Sequence, residues 1–292
     1  MKEIKKILYP VSFQKYTFPI FEKILELKHF GLKEVILLYF VESYKFSNFI
    51  SEEFISKIIE DWKKLAVEKL MEYEKTAKEN GIQTKVIVLE GNPRWQILKI
   101  ADENKVDAII TGFQGDALYT DCYLDANSEL ILRSCKYPAF VFRGSENINP
   151  ENGKLYDWRK ILFPTDFSEF SLKVMDYLPM FPKGGLEKIE VIHIQDENLF
   201  KHLTPDTIDN YCDKDKKRME NIKLKLKEMG FKDIITNIYS GTPHKIIIEE
   251  SKKFPEMLII MGSRGKSASF QMLFGSTTER VARMSKSPIL II

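Results

Sequence analysis

The same pattern of residues occurs twice in this chain, about 150 positions apart. Residues 7–10, Ile-Leu-Tyr-Pro, are matched 154 positions later by residues 161–164, Ile-Leu-Phe-Pro. Gly91-x-Pro93 is matched 150 positions later by Gly241-x-Pro243, and Pro138 by Pro288. This period is too long for a solenoid repeat and has the size of a whole domain. The chain should therefore fold as two copies of one domain.

Apolar runs alternate with helix-like segments in each half, which implies parallel strands joined by right-handed crossovers. The sequence predicts an α/β fold: two repeated, doubly wound, five-stranded parallel sheets with helices on both faces. The first half, 1–146, and the second, 159–292, are joined by a linker at 147–158, which overlaps the Asn-, Gly- and Pro-containing stretch Gly144–Asp157. Ligands of such sheets bind at the carboxyl ends of the strands, where the strand order reverses.

The longest helix of each half shows how well the periodicity holds. In the first half a helix over about 52–80 has an apolar stripe near the helical period, formed by Phe54, Ile58, Trp62, Leu65, Leu70, Tyr73 and Ala77. In the second half a helix is predicted from about Pro205 to Met229, and Asp215 interrupts its apolar stripe.

A glycine pattern, Gly262-x2-Gly265-x9-Gly275-Ser276, follows the apolar run 257–261 directly. Gly275 precedes a predicted helix over 276–284. Glycines let the backbone approach a ligand closely, and a helix N-terminus presents unpaired N–H groups to anions. The segment is therefore typical of a phosphate-binding loop.

The first half carries a damaged copy of this loop. Gly112 and Gly115 match the first two glycines, but Asp125 replaces Gly275 and Ala126 replaces Ser276. Gln114 stands in place of the loop arginine. A carboxylate about 4 Å from a phosphate charge costs roughly 4 kcal/mol at an effective dielectric near 20. That energy is about a thousandfold in affinity, so we expect no triphosphate in the first half.

Composition excludes several classes of protein. The net charge is +2, from 44 Lys and Arg against 42 Asp and Glu, without the strong basic character of a nucleic-acid-binding protein. No apolar run approaches the roughly 18 residues that span a membrane. The first residues lead directly into a strand, and the three cysteines are scattered, which favours reduced thiols in the cytoplasm. His193, inside an apolar strand, is interpreted as a hydrogen-bonded core residue rather than as a metal ligand.

With these motifs, and with Pro-Thr-Asp-Phe-Ser at 164–168, the chain resembles a tandem member of the universal stress protein family over nearly its whole length. The resemblance implies the strand order 3-2-1-4-5 and an ATP site in the second domain. We expect Mg²⁺ to accompany the phosphates, and the sequence identifies no ligands for it. It implies an aspartate at the first strand's end for adenosine, apolar adenine contacts, and a glycine loop for ribose and phosphates. The matching positions are Asp166, Ile194, Met261, Gly262, Arg264, Gly265, Gly275, Ser276 and Thr277. The first domain departs again here, because Ser12 replaces the aspartate.

Each of these residues has an ordinary structural alternative. Asp166 could cap the helix that begins near Ser168. Ser276 and Thr277 could cap their own helix, a role compatible with phosphate binding. Met261 is expected in the core in either case, and Arg264 could be a solvated loop residue.

The function predicted from the sequence is an ATP-binding sensor or regulator in the stress response. The alternatives are a slow ATP hydrolase or nucleotide-transfer enzyme and an interaction protein without a ligand. No catalytic base or Walker lysine motif is visible near the loop, although Gly265-Lys266-Ser267 resembles the end of one. The two domains are predicted to pair within the chain as a pseudo-dimer through their last strands, with a homodimer of whole chains as a further possibility.

Overall fold

The computed structural model describes residues 2–13, 17–45, 52–113, 126–134, 136–143, 158–195, 204–254, 257–265 and 274–292. The chain divides into two compact units, Glu3–Leu155 and Tyr156–Ile292, and the first two residues join the second unit. Three positions of the predicted damaged loop, Gln114, Gly115 and Asp125, lie outside the described residues. So does the predicted linker, 147–158, except for Trp158.

The first unit is a parallel sheet with the strand order β3-β2-β1-β4-β5. Its strands are β1 Lys6–Val11, β2 Glu34–Val41, β3 Gln83–Glu90, β4 Ala108–Phe113 and β5 Ala139–Arg143. Its helices are α1 Thr17–Leu25, α2 Glu52–Glu79, α3 Pro93–Glu103 and α4 Ala126–Ser134, with 3-10 helices at Glu26–Phe30 and Ser43–Lys45.

The second unit repeats the arrangement with the order β8-β7-β6-β9-β10. Its strands are β6 Lys160–Pro164, β7 Lys188–Gln195, β8 Asp233–Ser240, β9 Met257–Met261 and β10 Ile289–Ile291. Its helices are α5 Glu169–Leu172, α6 Met180–Lys183, α7 Pro205–Glu228, α8 Pro243–Lys252 and α9 Ser276–Met284, with a 3-10 helix at Lys173–Asp176. The α/β class and the order 3-2-1-4-5 are confirmed.

The central strands explain why these sheets form. All residues of β6 and of β9 are buried, as expected for parallel strands that are covered on both faces. The repeated Gly-x-Pro motifs start matching helices, because Pro93 and Pro243 each occupy the first helical position, where a missing N–H costs nothing. The glycines before them, Gly91 and Gly241, have φ of +116° and +141°, a conformation that other residues rarely adopt.

The predicted stripe of α2 was partly wrong. Phe54, Trp62 and Leu65 are exposed, and the buried face instead consists of Ile59, Ala66, Leu70, Tyr73 and Ala77. The N-terminal half of α2 carries two apolar stripes at helical spacing, and the sheet covers only one of them. Leu70, Tyr73 and Ala77 belong to both, so the prediction held for the C-terminal half.

The last strand of each unit, β5 and β10, exists as predicted and is buried where its side chains are described. Pairing between these strands stays a prediction. Slow amide exchange in both strands of the intact chain would support it, and exchange as fast as in loops would contradict it. None of the described helices is both long enough and apolar enough to cross a bilayer.

Candidate functional site

The predicted site residues cluster at the carboxyl edge of the second sheet. β6 and β9 lie side by side, and the chain leaves this edge through the turn after β6 and the loop after β9. The strand order reverses between these two strands, because β7 and β8 follow on one side and β10 on the other. Doubly wound sheets bind their ligands at such a position. Residues 266–273, within the glycine loop, lie outside the described residues.

Asp166 lies in the turn after β6 and is half-buried. Its Oδ1 accepts a hydrogen bond from the backbone N–H of Ser168 at 2.9 Å. The residue that caps α5 is Ser168, whose hydroxyl oxygen accepts from the backbone N–H of Ser171 at 3.2 Å. The capping role considered for Asp166 therefore belongs to Ser168, and the Asp166 side chain fixes the turn that precedes the cap.

The second carboxylate oxygen of Asp166 faces Gly265. A Cβ atom built on Gly265 would lie 2.5 Å from Asp166 Oδ2, a distance that real Cβ atoms do not show. A larger residue at position 265 would displace the Asp166 carboxylate from this arrangement. The fold thus brings together Asp166 and Gly265, which are about 100 residues apart in sequence.

Gly262 is required by packing inside the protein. A Cβ atom there would lie 2.9 Å from both the Phe170 carbonyl oxygen and the Ser171 Cα atom, which belong to α5. The Gly262 carbonyl accepts a hydrogen bond from the Thr278 hydroxyl at 2.8 Å. The first unit has the equivalent bond, from the Ser128 hydroxyl to the Gly112 carbonyl at 3.2 Å. The hydrogen bond to this carbonyl is therefore shared by both units, whereas the close packing that requires glycine occurs at Gly262 and not at Gly112.

Gly275 joins the loop to α9. Its backbone N–H donates to the Ser263 carbonyl oxygen at 2.8 Å, which holds the start of the helix against the loop segment 263–265. Gly275 precedes α9 with φ −76° and ψ 143°, so its glycine identity is not needed for the backbone conformation. Ser276 is exposed and Thr277 half-buried in the first turn of α9, whose N–H groups have no partners within the helix.

The remaining predicted residues surround this centre. Ile194 is half-buried near the end of β7, and Met261, the last residue of β9, is buried. The Arg264 guanidinium lies over the Phe170 ring, 5.2 Å from its centroid. This contact places Arg264 beside α5.

A buried polar cluster lies next to the Asp166 turn, and it was not predicted from the sequence. His193 on β7 contacts Asp215 on α7, with 3.3 Å between Nε2 and Oδ2, and the imidazole also lies against the ring of Phe167. His193 and Asp215 are each 5% exposed. The signal that could have revealed the pair was Asp215 itself, the charge that interrupts the stripe of α7. The hydrogen-bonded interpretation of His193 is confirmed.

The matching turn of the first unit is built differently. Ser12, at the Asp166 position, lies 3.1 Å from the Thr17 hydroxyl. Phe13 follows it, with its ring 4.6 Å from that of Tyr39 and 6.4 Å from that of Tyr73. Tyrosine rings thus lie beside Phe13 in the first unit, where His193 and Arg218 lie beside Phe167 in the second.

Other ionisable groups near α9 do not build a metal centre. Burial, with the positive charges of Arg280 and Lys245 close by, lowers the pKa of His244 at the start of α8. Within the parts of the chain that the structure describes, no group of three or more His, Cys, Asp or Glu residues could hold a metal ion.

Comparison with known proteins points to one family. The model of the universal stress protein family matches residues 3–143 and 157–292. Universal stress protein MJ0577 of Methanocaldococcus jannaschii is 31% identical over 156 residues, which are 46% of this chain and 94% of that protein. Universal stress protein YxiE of Bacillus subtilis is 28% identical over 148 residues, 46% of this chain and 99% of that protein. The crystal structure of a universal stress protein from Archaeoglobus fulgidus covers 98% of this chain and 97% of its own, with 25% identity and a TM-score of 0.73.

Proposed function

This chain belongs to the universal stress protein family, and we propose that it binds one ATP molecule, in its second unit, and acts as a sensor or regulator in the stress response. The observation that carries the proposal is the convergence of the Asp166 carboxylate, Gly265 and the start of α9 at the point where the strand order reverses. A carboxylate next to a loop backbone and a helix N-terminus offers an acceptor for hydroxyl or amine groups beside donors for phosphate.

In this proposal each residue has a definite task. Asp166 accepts hydrogen bonds from ribose hydroxyls or from the adenine amine, and Ile194 and Met261 provide apolar contacts for the base. The backbone at Gly262, Gly265 and Gly275 approaches the ribose and phosphates, and Ser276 and Thr277 donate from the first turn of α9. Arg264 reaches phosphate after it leaves the Phe170 ring. Mg²⁺ would be held mainly by the phosphates and by water, as is usual for this ion.

The first unit has a different task in the proposal, since Ser12, Gln114 and Asp125 replace the residues that would bind nucleotide. It serves as a structural or regulatory partner of the second unit. The two units are proposed to pair through β5 and β10, and a homodimer of whole chains remains compatible with this arrangement.

The first prediction concerns stoichiometry. Calorimetric titration with ATP and Mg²⁺ should give about one site per chain, because one unit has an intact loop and the other does not. A value near two would contradict the asymmetry between the units. Multiple-turnover release of phosphate in the same samples would favour the hydrolase alternative over a sensor.

The second prediction concerns Asp166. Asp166→Ser copies the first unit and should weaken ATP binding about tenfold to a hundredfold, the range for loss of a hydrogen bond to a charged group. Asp166→Asn keeps an oxygen for the Ser168 N–H and isolates the contribution of the charge. Ser12→Asp is the matched control and should create no second site. If Asp166→Ser and Asp166→Asn both bind ATP as tightly as the unchanged protein, Asp166 does not belong to the site.

A further inference from the structure

The turn that contains Asp166 is stabilised by side chains from two other elements, β7 and α7. The backbone before Asp166 is held at Thr165, whose carbonyl oxygen lies 2.8 Å from His193 Nδ1. Phe167, the next residue, has φ +60°, and its ring lies 4.3 Å from the His193 ring. The Arg218 guanidinium lies 5.3 Å from the centroid of the same Phe167 ring. The side chains of β7 and α7 therefore fix both neighbours of Asp166.

Hydrogen bonding determines the protons on His193. A carbonyl oxygen can only accept, so Nδ1 must donate to Thr165. Nε2 faces Asp215 Oδ2 at 3.3 Å, and that oxygen also accepts from the Gln195 side-chain amide at 3.1 Å. Asp215 Oδ1 accepts from Arg218 Nη1 at 3.2 Å. Both Asp215 oxygens act as acceptors in this arrangement, so we assign a proton to Nε2 as well, as the donor to Oδ2.

We propose that His193 and Asp215 are positioning residues of the nucleotide site. As a buried imidazolium–carboxylate pair, they hold Thr165 and Phe167 so that the Asp166 carboxylate faces Gly265. The proposal rests on the proposed function, because it takes the nucleotide as the ligand that this geometry serves.

The first unit supplies a comparison within the same chain. Phe13 has φ +57°, and the Lys69 ammonium lies 5.2 Å from its ring centroid. Tyr39 occupies the position of His193, 154 residues earlier. Ala66 and Lys69 stand 15 and 12 positions before Gly81, as Asp215 and Arg218 stand before Gly230. The turn thus forms without an ion pair in the unit that has Ser12, and the ion pair accompanies the unit that has Asp166.

The charges around the imidazole set the direction of the pH dependence. Asp215 and Arg218 face it from α7, Asp166 belongs to the turn, and Gln195 and Thr165 contribute neutral groups. Cys212, on α7, contacts the Gln195 side chain. The form of the site that binds nucleotide contains protonated His193. Its contribution is therefore lost when rising pH removes the second proton of His193.

The experiment compares the unchanged protein with two variants of the ion pair and with one control variant, all made in the full-length chain. The triple variant His193→Tyr, Asp215→Ala, Arg218→Lys installs the residues of the first unit, which support the same turn. Asp215→Asn removes only the negative charge of the pair. It tests the ion pair if the triple variant does not fold. Imidazole ¹⁵N NMR reads the protonation of His193, calorimetry reads ATP affinity, and both are followed over roughly pH 5 to 9, where imidazoles change charge. His244→Gln, outside the proposed site, is the control.

His193 should carry two protons at neutral pH, and Asp215→Asn should make it neutral. The triple variant should bind ATP about tenfold more weakly at low pH, the size of one hydrogen bond to a charged group. Because the triple variant lacks the ion pair, the pH dependence of ATP binding that it retains shows how much belongs to ATP itself. His244→Gln should behave like the unchanged protein.

Three results would overturn the proposal: a neutral His193 at neutral pH, equal ATP affinities with and without the ion pair, or amide signals of Asp166 and Phe167 that do not respond to Asp215→Asn. The amide signals of Asp166 and Phe167 are measured in the protein without nucleotide. A protein that binds no ATP at any pH would refute the proposed function, whereas ATP binding that is indifferent to the ion pair would refute only the positioning role.

Discussion

Replacing Gly275 with aspartate should reduce ATP affinity about a thousandfold while the second unit stays folded. The substitution copies Asp125, the residue at the matching position of the first half. The expected loss comes from a carboxylate at the start of α9, where the proposed site offers N–H donors to the phosphates. Like charges at about 4 Å repel by roughly 4 kcal/mol at an effective dielectric near 20.

The structure explains why the fold should tolerate this change. Gly275 has φ −76° and ψ 143°, which any residue can adopt. A Cβ atom there would lie 3.4 Å from the Arg264 Cα and from the Ser263 carbonyl oxygen, so only a small adjustment is needed. Aspartate is also among the best residues at the position that precedes a helix.

Gly275→Asn is the matched control, because it has nearly the same size and the same capping ability without the charge. We expect calorimetry to show a much smaller loss of ATP affinity for Gly275→Asn than for Gly275→Asp, with similar thermal unfolding of both. A folded Gly275→Asp protein with unchanged affinity would place the nucleotide elsewhere. Equal losses in both variants would show that space, and not charge, determines the result.

The elements around the site could be predicted from sequence where local signals agreed. The helix predicted at 276–284 is α9 with the same bounds, and the strand predicted at 257–261 is β9. Both follow from an apolar run, a glycine and a return to helical periodicity. The strand order came from the resemblance to the family, because local patterns do not specify which strands are neighbours.

What the sequence could not provide depends on contacts between distant residues. Gly262 was interpreted as part of a phosphate-binding loop, but its missing side chain is explained by the backbone of α5. Asp215 was noted as an interruption of an apolar stripe, and its partner His193 lies on another element, β7. Which stripe of α2 is buried is likewise determined by the sheet that covers it. The nucleotide contacts themselves stay predictions.

The close contact at Gly262 leads to the second large effect, which concerns stability. Gly262→Ala should destabilise the second unit by about 2 kcal/mol, the usual cost of overpacking. The new methyl group would meet the Phe170 carbonyl oxygen and the Ser171 Cα at 2.9 Å, and backbone atoms cannot turn aside as a side chain can. Any shift of α5 also moves the Asp166 turn, so ATP affinity should fall as well.

Gly112→Ala, at the matching position of the first unit, is the control. There the nearest atoms would be Ile20 Cδ1 at 3.5 Å and the Phe142 carbonyl oxygen at 3.7 Å, which is ordinary contact. We expect its stability in urea unfolding to lie within about 0.5 kcal/mol of that of the unchanged protein. ATP affinity should not change.

Equal destabilisation by the two substitutions would contradict the tight packing of Gly262 against α5. A destabilised Gly262→Ala protein that binds ATP normally would instead show that the position of α5 does not control the Asp166 turn.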